Sequence, residues 1–284
     1  MNWLFLALVS VLTISIANIL ERILLKEDES DPIGYAIIFQ FLLGFIVLLF
    51  ALLLGRFTFP ELTIVTAIRF LISGMLWAGA TTFTFKAVKR LSAAEVTILN
   101  SSSSLVSIIF SILLLSEFLD IRVVVGTFLV LISIYIVKSE KLSFESRQGI
   151  SFALVSAFCS GAAVVNDALI LRTYEVFSYV TIMSFIPGII LLALFSNKTK
   201  QIKRLATTSR IRLMVIFTFF YALQAVTYYL SYQSGAPISH LAPITKSSIV
   251  LTVIFGALFL KEKKHLTKKV LASMVVTAGV ILLS

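Results

Sequence analysis

In a chain this apolar, chemistry falls to the few polar side chains that interrupt the hydrophobic runs, and Lys246 is the foremost of them. It lies about two turns into the apolar run 238–260 and is the one charged residue in it. A charge at mid-bilayer costs about 2.5 to 3.5 kcal/mol on insertion scales, so such a lysine serves a function, snorkels to the membrane surface or is tied into a buried pair. Glu95 and Asp167 are the candidate partners for a pair. If Lys246 instead faces a cavity, it suits an anionic or carboxylate-bearing solute. Three residues earlier, Pro243 has no amide hydrogen for the Ser239 carbonyl, which bends or breaks a helix.

A second set is aromatic and polar. Tyr221, Gln224, Tyr228 and then Ser231 or Tyr232 are spaced so that they share one helical face. The rings offer stacking or cation–π contact, and the hydroxyl and amide groups can orient a ligand. The same spacing also suits an interhelical hydrogen-bond seam with interface tyrosines. Trp77, Thr81 and Thr84 form a looser face that can oppose it. Asn18, Asn100 and Asn166 complete the candidate substrate-binding set.

Carboxylates inside the runs are the candidates for proton coupling. Glu95 lies near one membrane edge, and Asp167 about a turn inside another. Glu21 with Arg22, and Asp167 with Arg172, can equally be structural end pairs. Asn100, Ser104, Ser107 and Ser111 are spaced 4, 3 and 4, a stripe of small residues suited to close helix packing. Pro187-Gly188 marks a kink that, like Pro243, can act as a hinge.

The elements that must position these groups follow from composition. Of 284 residues, 59% are hydrophobic and 13% charged, and the mean hydropathy is +1.03, whereas a soluble domain is about a quarter charged. Apolar runs broken by charge, Pro and Gly place ten membrane-spanning helices near 3–25, 33–55, 64–88, 92–116, 119–138, 149–172, 176–196, 211–233, 238–260 and 266–283. At roughly 20 residues a span, about 84 positions remain for all loops and ends, too few for an extramembrane catalytic domain. The first run, Trp3 to Ile19, lacks a basic leader and recurs later in the chain, so it reads as part of the fold rather than a signal peptide.

The chain repeats itself at about half its length. Ala7-Leu8-Val9-Ser10 returns as Ala153-Leu154-Val155-Ser156, and Tyr35, Ile38, Phe41 and Gly44 return as Tyr179, Ile182, Phe185 and Gly188. Setting Glu117 on Glu262 gives ten identities across 101–138, Ser102/Ser247 and Ser103/Ser248 among them, where shared apolar composition gives roughly three or four. The repeats divide the chain at 1–145 and 146–284. Five spans per half is an odd number, so the second copy enters the membrane from the opposite side. The expected fold is therefore an all-α integral membrane protein of two inverted five-helix repeats, an architecture of secondary transporters.

The stretch Leu115-Ser116-Glu117 followed by Gly126 and an apolar span, with its second copy Phe259-Leu260-Lys261-Glu262 before Ala278-Gly279-Val280-Ile281-Leu282, resembles the end of each half in EamA-type proteins of the drug/metabolite transporter superfamily. The resemblance covers essentially the whole chain. It implies export or exchange of a small metabolite through a central cavity lined by spans 1, 3, 4, 6, 8 and 9, and it implies no particular substrate. Glu117 and Glu262 also suit a structural role, a carboxylate meeting the N-terminus of the following helix.

Other classes fare worse. The net charge of +10 falls in short groups between apolar runs, as loop anchors do, so nucleic acid is not an expected partner. Cys159, His240 and His265 do not have zinc-ligand spacing, and no metal, cofactor or catalytic residue is expected. An intramembrane enzyme would need a motif such as HExxH or Gly-x-Gly-Asp, which the sequence lacks. A structural or sensory membrane protein is the remaining alternative. The expected partners are a small solute, the lipid bilayer and a coupling ion or proton, with the chain as monomer or homodimer in the cell membrane. Basic residues divide 19 to 4 between the two sides, which places both termini outside by the positive-inside rule, whereas the resemblance implies both inside.

Overall fold

The computed structural model describes residues 2–26, 31–58, 61–115, 144–198, 210–236, 244–261 and 266–283, with Ile202, Leu241 and isolated helical positions between 125 and 136. In chain order the helices are α1 (Trp3–Leu25), α2 (Pro32–Leu53), α3 (Ile64–Arg90), α4 (Ala93–Asn100), α5 (Ser103–Leu115), α6 (Phe144–Ile170), α7 (Val176–Leu194), α8 (Ile211–Gln233), α9 (Ser248–Phe259) and α10 (Leu266–Leu283). Among the described residues there is no strand, and seven helical stretches are long and apolar enough to cross a membrane. Large apolar side chains such as Leu53 and Ile64 are 72% and 81% exposed, an arrangement that suits lipid rather than water. Most of expected span 119–138 lies outside the described residues, as do Glu117, Glu262 and Pro243, while Gly126 is helical and buried.

Local chemistry sets the helix starts. Asn2 accepts from the Leu4 amide at 3.0 Å, and Asp31, just before Pro32, accepts from the Ile33 amide at 3.3 Å. Thr63 with Thr66, and Ser92 with Glu95, close reciprocal capping boxes at α3 and α4. Glu175 accepts from the Phe177 and Ser178 amides at 2.7 and 3.3 Å. Helices α2 and α8 end on Gly55 and Gly235, whose φ values of 63° and 99° let Arg56 and Ala236 bond back to the Ala51 and Ser231 carbonyls.

Two expected spans are not continuous helices. The run 92–116 is interrupted at Ser101-Ser102, between α4 and α5, and 238–260 is interrupted at Ser247, after the helical residues 244–246. The cause is the serine side chain. Ser101 Oγ donates to the Ile98 carbonyl at 2.5 Å, Ser102 Oγ to Leu99 at 2.7 Å and Ser247 Oγ to Ile244 at 2.7 Å, while the same backbone amides take three-residue rather than four-residue hydrogen bonds. The two breaks occur at repeat-equivalent serines, Ser102 and Ser247. They also meet in space: Lys246 Nζ donates to the Asn100 carbonyl at 3.5 Å.

The helices pack in matching pairs, α3 on α6 and α1 on α8, with α2 against α7. At α2–α7 the contact is reciprocal. A Cβ on Gly44 would meet the Phe185 ring at 2.8 Å, and one on Gly188 would meet the Phe41 ring at 3.3 Å and the Gln40 Cβ at 3.2 Å. These are the two copies of one sequence pattern, each glycine receiving the other's phenylalanine. Pro187 and Gly188 thus sit inside this close contact, within a helix that runs on to Leu194. Within the serine stripe, Ser107 Oγ of α5 donates to the Gly161 carbonyl of α6 at 3.0 Å.

Candidate functional site

Where the breaks meet, the bundle encloses a cavity of about 260 Å³. Its wall draws on α1 through α9, so α2 and α7 contribute as well as the six spans implied by resemblance. From α2 comes Gln40, whose Nε2 donates to Thr81 Oγ1 at 2.7 Å, and from α7 come Tyr179 and Ser184. Gln40 lies outside the polar faces expected from the sequence. Its signal was an amide in the middle of an otherwise apolar run.

Seven of the eight residues expected to bind solute line this cavity: Asn18, Trp77, Asn100, Tyr221, Gln224, Tyr228 and Lys246. The α8 face and the α3 face of Trp77, Thr81 and Thr84 converge on it together. Tyr221 packs edge-on against Phe39 at 4.8 Å between centroids, and Tyr228 against Tyr229 at 5.2 Å, so the rings are held in place. Gln224 Nε2 reaches Ser10 Oγ at 3.4 Å. Asn18 Nδ2 spans from Thr97 Oγ1 at 3.4 Å to Thr252 Oγ1 at 3.3 Å, joining α1 to α4 and α9. Among the described residues Lys246 forms an ion pair with neither Glu95 nor Asp167 and hydrogen-bonds the Asn100 carbonyl alone, and Asn100 Oδ1 is buried without a partner.

Asn166 stands apart from the cavity. Its Nδ2 donates to the Arg69 carbonyl at 2.8 Å and to Ser73 Oγ at 2.7 Å, in the seam between α3 and α6. Asp167 is fully buried beside it and receives three hydrogen bonds, from Ser73 Oγ at 2.6 Å, Trp77 Nε1 at 2.8 Å and Tyr229 OH at 2.7 Å. Two of these donors, Trp77 and Tyr229, line the cavity, so Asp167 fixes its wall from behind. Glu95 is occupied at the start of α4, where its Oε2 accepts from the Ser92 amide and hydroxyl at 2.8 and 2.7 Å. Arg22 turns away from Glu21 and donates to the Val88 and Lys89 carbonyls. Among the described residues no group of three His, Cys, Asp or Glu side chains comes together to hold a metal.

A bundle of apolar helices, seven stretches of which are long enough to cross a bilayer, around an interior cavity defines a multi-pass membrane protein. The model of the EamA-like transporter family matches residues 1–139 and again 147–284, and the chain belongs to that family, within the drug/metabolite transporter superfamily. No curated protein matches it. A crystal structure of a protein aligns over 98% of this chain and 94% of its own at a TM-score of 0.68 and 14% identity, a likeness of fold alone.

Proposed function

We propose that the chain is a secondary transporter that exports or exchanges a small polar or aromatic metabolite across the plasma membrane by alternating access. The observation that carries the reading is the interior cavity, in which Lys246, an aromatic face and several amides converge at two broken helices. Broken helices expose backbone dipoles to a solute at the centre of a bilayer, where an unbroken helix would offer only side chains. Lys246 supplies the positive charge that would hold an acidic group, and Tyr221, Tyr228 and Trp77 flank the solute's apolar part.

The two matched segments read as inverted copies, and the reciprocal Gly44–Phe185 and Gly188–Phe41 contact supports that reading, since a two-fold relation between the halves produces it. Rocking one half on the other about this contact, with Pro187, Gly188 and Pro243 as the bending points, would open the cavity to alternate sides. A solute or ion gradient would supply the energy. Members of the family are transporters rather than enzymes.

The test is a thermal-shift screen of metabolites on detergent-purified protein, followed by uptake of the stabilising solutes into liposomes. Lys246→Ala is expected to abolish both the stabilisation and the uptake. Unchanged uptake in that variant would remove Lys246 from the site.

A further inference from the structure

We infer that Glu21 is the cation-binding group of the cavity and that the solute is a zwitterion, with an ammonium at Glu21 and an acidic group at Lys246. The inference builds on the transporter reading above and names the solute class it requires.

Glu21 is 5% exposed and lines the cavity from α1, yet its Oε1 is buried with no hydrogen-bond partner. Among the described residues it makes no ion pair either; its chain neighbour Arg22 donates to carbonyls at the end of α3. The contrast with Asp167 is informative, because the repeat sets the two acids on each other at a spacing of 146. In the second half the carboxylate is taken up by three donors from α3 and α8. In the first half no donor from those helices reaches the Glu21 Oε1. A buried carboxylate without a partner is costly, and burial is tolerated where a ligand supplies the missing donor.

Lys246 is the complementary case, a cation in the same cavity with a single long bond to a backbone carbonyl. Neither charge neutralises the other, since no ion pair links them. A solute carrying both signs completes both groups at once, while one carrying a single sign leaves the other buried and unpaired. The rings of Tyr221, Tyr228 and Trp77 line the same cavity and favour an aromatic body.

Three probes of one shape separate the possibilities: phenylalanine, 3-phenylpropionate, which lacks the amine, and phenylethylamine, which lacks the acid. Binding of each to the purified full chain is measured for wild type, Glu21→Gln and Lys246→Gln. Wild type is expected to bind phenylalanine at least tenfold tighter than either analogue. Glu21→Gln should erase the preference over 3-phenylpropionate, and Lys246→Gln the preference over phenylethylamine. Equal weakening of phenylalanine and 3-phenylpropionate in Glu21→Gln, or no change in either, overturns the assignment of Glu21. If 3-phenylpropionate binds wild type in a Lys246-dependent manner while Glu21→Gln leaves amine discrimination intact, the inference fails and the transporter reading stands. If wild type binds none of the three probes, the zwitterion is overturned, and solute uptake in the metabolite screen then decides the transporter reading separately.

Discussion

Replacing Asp167 by alanine would remove the acceptor for Ser73, Trp77 and Tyr229 in one step and leave three donors facing an apolar gap between α3, α6 and α8. Side-chain hydrogen bonds between membrane helices average about 0.6 kcal/mol and reach about 1.7. Three of them place the loss at about 2 to 5 kcal/mol, and full burial of Asp167 sets the value toward the upper end. At about 2 to 4 °C per kcal/mol, the midpoint of thermal unfolding in detergent should fall by at least about 4 °C. Asp167→Asn is the sharper variant. Its remaining oxygen can still accept from Trp77 and Tyr229, while its new amide hydrogens face Ser73, so the expected loss is about 1 kcal/mol. Solute uptake into liposomes should survive in that variant, because Asp167 holds the cavity wall and does not line it. An unfolding midpoint of Asp167→Ala within about 1 °C of wild type would refute the load assigned to these bonds. Wild-type stability of Asp167→Asn with loss of gradient-driven uptake would make Asp167 a proton carrier rather than a brace.

The remaining predictions concern the scaffold. Ser92→Ala breaks the capping box of α4 and the 2.8 Å bond from Lys269 Nζ, and should cost about 0.5 to 2 kcal/mol in unfolding without changing solute affinity. Glu95→Gln keeps a box-forming side chain and should be silent in both assays; lost uptake at unchanged stability would return Glu95 to proton coupling. Gly161→Ala would set a Cβ 2.5 Å from the Ser103 carbonyl oxygen, which backbone cannot yield, and should lower stability by about 1 to 3 kcal/mol. Gly79→Ala meets only the Cys159 side chain at 3.2 Å and should cost less; the opposite ranking, read by thermal unfolding, would refute the close approach of α5 to α6.

Helix positions were readable because a bilayer imposes an apolar length, and α1, α3, α7 and α8 begin where the runs of hydropathy begin. The breaks at Ser101-Ser102 and Ser247 were not, since a count of apolar length does not register a hydroxyl capturing a carbonyl. The cavity face on α8 was legible from spacing alone, because a helix carries positions three and four apart to one side. Asn166 and Asp167 escaped that logic. Sequence places both near the end of a helix, but only the crossing of α3 over α6 decides that they meet Arg69, Ser73 and Trp77 rather than the cavity. Glu21 is the converse: beside Arg22 it reads as an end pair, and the pair dissolves because Arg22 finds the carbonyls of Val88 and Lys89 first.

Reading the halves as inverted copies explains a division of labour among their residues. What the two copies share is backbone: the serine breaks, the glycine that admits the other half's phenylalanine, and the helix pairings that follow. Such symmetry lets each half take the other's place, which is what a rocking motion requires. What they do not share is charge. The counterpart of Lys246 at the repeat spacing of 145 is Ser101, whose hydroxyl is spent on its own helix. The counterpart of Glu21 is Asp167, whose carboxylate is spent on three donors. In the proposal made above, each half contributes one charge left without an ion pair, negative from the first and positive from the second, to a cavity lined by both halves. A symmetric scaffold carrying an asymmetric pair of charges can turn a solute between two sides while holding it in a single orientation, and substituting either charge should alter selectivity before it alters the fold.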